Sequence, residues 1–181
     1  ALTIPFWTSY LLRVFAWKLI LGYNGVINGS LSNLGLIDNP LSFLLYNPFA
    51  VFVTLAHAWS AFAILPIYVS LEKIDRSLLE AASDLGDSAF RRFWRITFPL
   101  SYPGVLAASL IIFIPTTGDF ITPKLVGGSE GIMVANLIQV MFGKANNWPL
   151  GSSLAIITMI IVAVLVICFV VISRWLISRI K

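Results

Sequence analysis

Long apolar runs separated by short polar segments dominate the pattern of this chain. Three runs, at about 48–71, 100–123 and 149–173, each hold about 24 residues, and the first and third carry no formal charge. A helix of that length rises about 36 Å, which exceeds the roughly 30 Å hydrocarbon core of a bilayer. A fourth run, 1–12, stops at Arg13, and we interpret it as part of a spanning helix whose beginning is absent. The pattern predicts an all-α, polytopic membrane protein.

Local signals predict where the first of these helices begins and bends. Asn47 is a suitable N-cap, and Pro48 follows it at the first helical position, where proline is tolerated. Pro66 is expected to kink the other end.

The charged segment between the first two runs has a helical periodicity of its own. It predicts two short helices joined at Gly86, because glycine readily adopts the left-handed conformation that ends a helix. Ser77 and Glu80 have the spacing of a capping box, which predicts that the first helix begins at Ser77. Pro99 is expected to end the second helix before the chain re-enters the membrane.

The other polar segments, 13–47 and 124–148, are richer in Gly, Asn and Ser. Within the second of them, the stretch from Met133 to Gly143 is apolar and capable of forming a helix, but it is too short to span. It predicts an interfacial helix.

Composition supports the membrane class. Hydrophobic residues make up 59% of the chain, charged residues only 11%, and the mean hydropathy is +0.92. Soluble domains carry about 25% charged residues. The net charge of +4 does not indicate nucleic acid, because the basic residues flank the apolar runs. The single cysteine, Cys168, excludes an intrachain disulfide.

The basic residues are divided unevenly between the two predicted sides. Eight lie in segment 72–99 and at the C-terminus: Lys73, Arg76, Arg91, Arg92, Arg95, Arg174, Arg179 and Lys181. Four lie on the other side: Arg13, Lys18, Lys124 and Lys144. Since positive charge accumulates in cytoplasmic loops, segment 72–99 and the C-terminus are predicted to be cytoplasmic.

One motif in segment 72–99 carries a family resemblance. Its residues, in register over 20 positions, are Glu80, Ala81, Ala82, Gly86, Ile96 and Pro99. This spacing resembles the EAA loop of the permease subunits of ABC importers. The resemblance implies the C-terminal part of a type I ABC importer permease fold, with residues 1–181 forming one transmembrane domain.

The same resemblance implies the partners and the cellular location. The partners are an ATP-binding cassette ATPase subunit docked on the motif, a second permease subunit, an extracytoplasmic solute-binding protein and the lipid bilayer. The location is the bacterial cytoplasmic (inner) membrane. Neither a nucleic acid, a cofactor nor a metal is implied.

Further segments are similar to those of spermidine/putrescine-type permeases. They are Ile4-Pro-Phe-Trp-Thr-Ser-Tyr10, Leu65-Pro66, Gly118-Asp-Phe-Ile-Thr-Pro123, Gly127-Gly128 and Asn147-Trp-Pro-Leu-Gly151. The resemblance implies a polyamine substrate and missing N-terminal helices. Related permeases carry ferric iron, thiamine, opines or phosphonates, which remain alternatives.

Asp119, Trp7 and Trp59 are the candidate residues of a substrate path. A carboxylate deep in a membrane span is costly and usually faces a cavity or a partner, so Asp119 is a candidate for attracting a cation. Indole faces at Trp7 and Trp59 suit an ammonium group. The alternatives are that Asp119 marks a helix exit and that both indoles are interfacial. His57 is expected to be buried and hydrogen-bonded to a neighbouring helix.

Two rival classes, an intramembrane enzyme and a channel, fit the sequence less well. An aspartic dyad needs two carboxylates, yet Asp119 has no acidic counterpart in a span, and His57 with Ser60 lacks an orienting acid. A channel has no need of an EAA-type loop. The chain has no Gly-rich phosphate loop, so no catalytic residue is predicted and ATP hydrolysis is assigned to the partner.

Overall fold

Helices account for nearly all the regular structure in residues 8–180, the part of the chain that the computed structural model describes. In chain order they are α1 (Tyr10–Leu21), α2 (Val26–Asn33), a 3₁₀ turn (Ser42–Leu44), α3 (Pro48–Glu72), α4 (Arg76–Asp84), α5 (Ala89–Arg92), a π-helical turn (Phe93–Thr97), α6 (Phe98–Thr117), a second π-helical turn (Pro123–Gly127), α7 (Val134–Phe142) and α8 (Trp148–Ile180). This all-helical architecture confirms the predicted fold class.

Three of the helices are long and apolar enough to cross a bilayer: Pro48–Glu72, Ala89–Thr117 and Trp148–Trp175. None of the residues in the most apolar window of the third is buried within the chain, so this helix offers its side chains to lipid or to another subunit. The predicted run 1–12 begins with residues outside the described part of the chain. That these helices span a membrane stays a prediction.

Two helix ends differ from those expected from the sequence. Helix α6 ends at Thr117 rather than near Pro123, because Gly118 N–H and Asp119 N–H bond three residues back, to Pro115 O and Thr116 O, both at 3.2 Å. These tighter bonds close the helix before the aspartate. Helix α8 runs beyond the predicted end at 173.

Pro99 does not end the helix that contains it, so that prediction was wrong. The chain is helical from Ala89 to Thr117, and Pro99 lies in the first turn of α6. Directly before it, Phe98 N–H bonds five residues back to Phe93 O, in a π-helical turn. A wider turn of this kind accommodates proline's missing donor and bulky ring without breaking the helix.

The described chain divides into two compact units, and the division falls within the three longest helices. The first unit comprises residues 8–61 and 115–160. Its core consists of buried side chains from α1, α3 and the second π-helical turn: Val14, Leu21, Ala50, Val51 and Val126. Asn47 caps α3 as predicted, because its Oδ1 accepts from Ala50 N–H at 2.9 Å.

The second unit comprises residues 62–114 and 161–180. Within it, α3 and α6 approach closely at Gly104, where an added Cβ would lie 2.5 Å from Pro66 O and would also overlap Ser70. The neighbouring Ser101 is buried. Small residues at such a crossing let two helical backbones come together.

Candidate functional site

Helix α4, which carries the Glu80 motif, is capped by Asp75, whereas the capping-box spacing predicted a cap at Ser77. Asp75 has an extended backbone and its Oδ1 accepts from Ser77 N–H at 2.9 Å, so Ser77 already lies inside the helix. This hydrogen bond lowers the pKa of the Asp75 carboxyl below its usual value. A capping box with Glu80 is therefore not formed, and the Glu80 carboxylate is not used as a cap.

The other end of α4 has the hydrogen bonds of a Schellman motif. Gly86 N–H bonds to Ser83 O at 2.9 Å and Asp87 N–H to Ala82 O at 3.0 Å. Gly86 has φ +83°, the left-handed conformation that the sequence predicted for it. The two caps fix the length and direction of α4.

The motif residues on α4 differ in exposure. Glu80 and Ala81 are exposed, whereas Ala82 is buried in the chain's own fold. Leu85, at the end of the helix, is 87% exposed. Glu80 also lines a hollow of about 340 Å³ that includes Arg76 and Arg92. The exposed surface around α4 therefore combines the Glu80 carboxylate, the guanidinium groups of Arg76 on α4 and Arg92 on α5, and the uncovered Leu85 after the helix.

Ile96 and Pro99 lie in the next helical segment and are half-buried. Ile96 belongs to the first π-helical turn and Pro99 to the start of α6. An ion pair between Arg95 Nη1 and Asp87, 3.2 Å apart, joins this segment to the turn after α4. The motif residues are thus divided between α4 with its C-terminal turn and the helical segment that follows.

Asp119, the sequence-predicted path residue, lies two residues beyond α6 and is 8% exposed. Its Oδ1 accepts from Ile121 N–H at 2.8 Å and Thr122 N–H at 3.3 Å. Its Oδ2 accepts from the Tyr10 hydroxyl. The carboxylate therefore caps the helical segment that follows and ties it to α1.

Tyr10 was not among the predicted site residues, although it is central to this cluster. Its hydroxyl lies 2.5 Å from Thr122 Oγ1, and its ring centre lies 5.7 Å from that of Trp59. Since Tyr10 donates its proton to Asp119, Thr122 must donate to Tyr10. The structure thus brings two predicted residues, Asp119 and Trp59, to one tyrosine. Trp7 lies outside the described residues.

Arg13, one turn along α1 from Tyr10, does not neutralise Asp119. Its Nη1 donates to Ala58 O at 2.5 Å. In the part of the chain that the structure describes, Arg95 and Asp87 form an ion pair, but no cation lies within ion-pair distance of Asp119. Asp119 is therefore hydrogen-bonded without a cationic partner among these residues. A buried carboxylate held only by neutral donors is an uncommon arrangement.

His57 is exposed, which contradicts the expectation that it is buried. Its ring meets Trp17 edge-on, with centres 5.5 Å apart. Thr54, Ala58 and Ala61 are buried and mark the inner face of α3, and His57 lies on the outer face. Periodicity alone did not reveal which face this uniformly apolar helix buries.

Comparisons with known proteins identify the family of the chain. A family model described as the inner membrane component of binding-protein-dependent transport systems matches residues 2–181. The spermidine/putrescine transport system permease protein PotB of Haemophilus influenzae is 37% identical over 92% of this chain and 58% of its own length. The protein of the same name in Escherichia coli strain K12 is 36% identical over 99% of this chain and 65% of its own length.

A less similar relative and a solved structure agree with this family assignment. The inner membrane ABC transporter permease protein YdcU of Escherichia coli strain K12 is 33% identical over 90% of this chain and 55% of its length. A crystal structure of a bacterial ABC transporter that imports the acidic polysaccharide alginate matches with a TM-score of 0.74, at 18% identity, over 96% of this chain and 64% of that one. At this identity the match shows the fold.

The chain thus spans about three-fifths of the length of the curated relatives it matches first. The match to the family model runs over nearly the whole chain, and it agrees with the long apolar helices and with the fold. This chain belongs to the family of inner membrane components of binding-protein-dependent transport systems.

Proposed function

We propose that this chain is the permease subunit, or the C-terminal part of one, of an ATP-driven importer in a bacterial inner membrane. Family membership is the observation that carries the proposal. The chain would form part of a substrate path and would hydrolyse no ATP itself. Its partners would be an ATPase subunit, a second permease subunit and an extracytoplasmic solute-binding protein.

The docking element for the ATPase would be α4 together with the turn at Gly86. Support comes from the exposure of Glu80, Ala81 and Leu85, which face away from the second unit's interior. Ala82 would act indirectly, by letting α4 pack against its own chain, and Ile96 and Pro99 would support it from the following helix. An exposed helix with two defined caps suits rigid docking, because little conformational freedom is lost on binding.

The distribution of basic residues supports a membrane orientation. Segment 72–99 and the C-terminus would be cytoplasmic, on the side of the ATPase, and the segment with α7 would lie outside. Helix α7 exposes Leu137 and Val140, which suits an interfacial helix.

A polyamine such as spermidine or putrescine would be the substrate. The relatives named for spermidine and putrescine support it, as does Asp119, a buried carboxylate without a cationic partner among the described residues. Trp59 and Trp7 would add aromatic faces for an ammonium group. The alternatives are ferric iron, thiamine, an opine or a phosphonate, and a phosphonate fits Asp119 least because both are anionic.

Uptake into proteoliposomes containing the complete transporter tests this proposal. With ATP inside the vesicle on the ATPase side and loaded binding protein on the other, labelled spermidine is expected to accumulate, and excess putrescine to compete. Labelled phosphonate and thiamine serve as controls that should not accumulate. Accumulation of phosphonate or thiamine, with no uptake of either polyamine, would show that the polyamine assignment is wrong. Equilibration of labelled spermidine without ATP would indicate a channel.

A further inference from the structure

We propose that Tyr10 is a removable cover over a binding site for a primary ammonium group formed by Asp119, Trp59 and Thr122. In the absence of substrate the tyrosine hydroxyl occupies the place of the ammonium, and a substrate amine binds by displacing it. This inference rests on the proposed polyamine substrate and adds to it a mechanism and a residue that sequence reasoning did not identify.

The first support is that the two carboxylate oxygens of Asp119 accept from different kinds of donor. Oδ1 is committed to the backbone, where it accepts from Ile121 and Thr122. Oδ2 accepts from a side chain, the Tyr10 hydroxyl, which belongs to a different helix 109 residues away in sequence. Backbone donors cannot leave without unwinding the segment, whereas a side chain leaves by a rotation. Only the Oδ2 side is therefore exchangeable.

The second support is charge. Asp119 is 8% exposed, and the cation closest along α1, Arg13, is bonded to Ala58 O instead. A buried negative charge surrounded by neutral donors gains free energy when a cation reaches it, because the attraction is weakly screened in a low-dielectric environment. An ammonium supplies that charge, and a phenol hydroxyl does not.

The third support is the set of groups that would surround the incoming ammonium once the Tyr10 hydroxyl has left. Thr122 Oγ1, 2.5 Å from the Tyr10 hydroxyl, can turn its lone pairs towards an ammonium proton once it no longer donates to the phenol. The indole of Trp59 presents a ring beside the phenol, at 5.7 Å between centres. A carboxylate, a hydroxyl and an indole match the three donors and the positive charge of a primary ammonium.

Displacement requires the Tyr10 side chain to rotate away from Asp119. It is only partly buried, and it lies at the first residue of α1, where the helix is held by few backbone bonds. Its hydroxyl makes the hydrogen bonds to Asp119 and Thr122. Both polar contacts are thus made through one atom, while the half-buried ring of Tyr10 packs against the core of the first unit, so displacement breaks the two hydroxyl contacts and shifts the ring.

The test measures spermidine binding to the purified complete transporter without its binding protein, from the ligand-dependent rise in its unfolding temperature. Tyr10→Phe removes the competing hydroxyl, so its dissociation constant is expected to fall about three- to tenfold, the effect of one modest hydrogen bond. Asp119→Asn is expected to raise it by about tenfold or more. In the Asp119→Asn background, Tyr10→Phe should have no further effect, because the cover then has no carboxylate to protect.

Tyr23→Phe and Asp38→Asn, at exposed positions of the same unit, are the matched controls and should bind as the wild type does. A purely structural role predicts that Tyr10→Phe lowers the unfolding temperature without ligand and weakens or leaves unchanged the binding of spermidine. That result, in a transporter that still takes up spermidine, overturns the cover and leaves the proposed function in place. A wild-type transporter that neither binds nor takes up a polyamine overturns both.

Discussion

Single polar side chains decide how the two candidate regions of this protein are built. Asp75 caps α4 and leaves Glu80 free of a capping role, and Asp119 caps the segment beyond α6. The two carboxylates do the same local work in different surroundings, since Asp75 is exposed and Asp119 is buried. Burial is the basis for the second function proposed for Asp119, because an exposed carboxylate is satisfied by water.

The Asp75 cap predicts a pH dependence of α4. Because the pKa of Asp75 is lowered in the folded protein, the cap contributes fully above the unfolded value of about 3.9 and is lost as the pH falls through the lower folded value. Hydrogen exchange of the α4 amides, corrected for intrinsic rates, should therefore lose protection only below about pH 4. Asp75→Asn should keep protection and lose this pH dependence, since asparagine caps equally well.

Asp84→Asn, at the exposed C-terminal residue of the same helix, is the control and should retain the acid transition. An acid transition in α4 that is unchanged in Asp75→Asn would show that another group titrates.

Local residue signals were predictable from sequence, and long-range ones were not. Gly86 and Asn47 act within a few residues of themselves, so their conformations and caps followed from their neighbours. The Asp75 cap was missed because Ser77 and Glu80 offered a competing pattern two residues later. The bond from Tyr10 to Asp119 joins positions 109 residues apart, and no local period reports such a contact.

At the scale of the helices, apolar length identified the elements, but not their faces or all of their ends. Helices α3, α6 and α8 cover most of the three apolar runs, although α6 ends before 123 and α8 continues past 173. A helix that is apolar all round has no period to mark its inner side, which is why His57 was misplaced. The prediction for Pro99 was wrong because the π-helical turn directly before it accommodates the proline without ending the helix.

The crossing of α3 and α6 at Gly104 makes an element-scale prediction. Gly104→Ala places a Cβ 2.5 Å from Pro66 O, a backbone atom that cannot rotate away. Overpacking of this kind costs about 1–3 kcal/mol, so the purified transporter should unfold several degrees lower.

The matched control is Gly29→Ala, because a Cβ at this helical position meets nothing within 4 Å. It should be neutral or slightly stabilising, since alanine favours a helix more than glycine does. Equal unfolding temperatures for the Gly104→Ala and wild-type proteins would mean that the two helices are not in close contact.

At the scale of the whole molecule, family membership and the long apolar helices support one account. The chain belongs to a family of inner membrane transport components, and its helices expose apolar side chains along most of their length. Such surfaces require lipid or other subunits, so the functional unit is proposed to be an assembly. Within that assembly, we propose that α4 is the part of this chain that contacts the ATPase.

Site-specific cross-linking in the complete transporter tests that claim most directly. In a Cys168→Ala background, which removes the native thiol, Ser83→Cys places a thiol on the exposed part of α4 beside Glu80, and Ser129→Cys places one on the predicted outer side. A short photoactivatable reagent attached to the introduced thiol, which needs no thiol on the partner, is expected to join Ser83→Cys, and not Ser129→Cys, to the ATPase subunit. A cross-link to the ATPase from Ser129→Cys and none from Ser83→Cys would contradict both the docking role of α4 and the orientation of the chain.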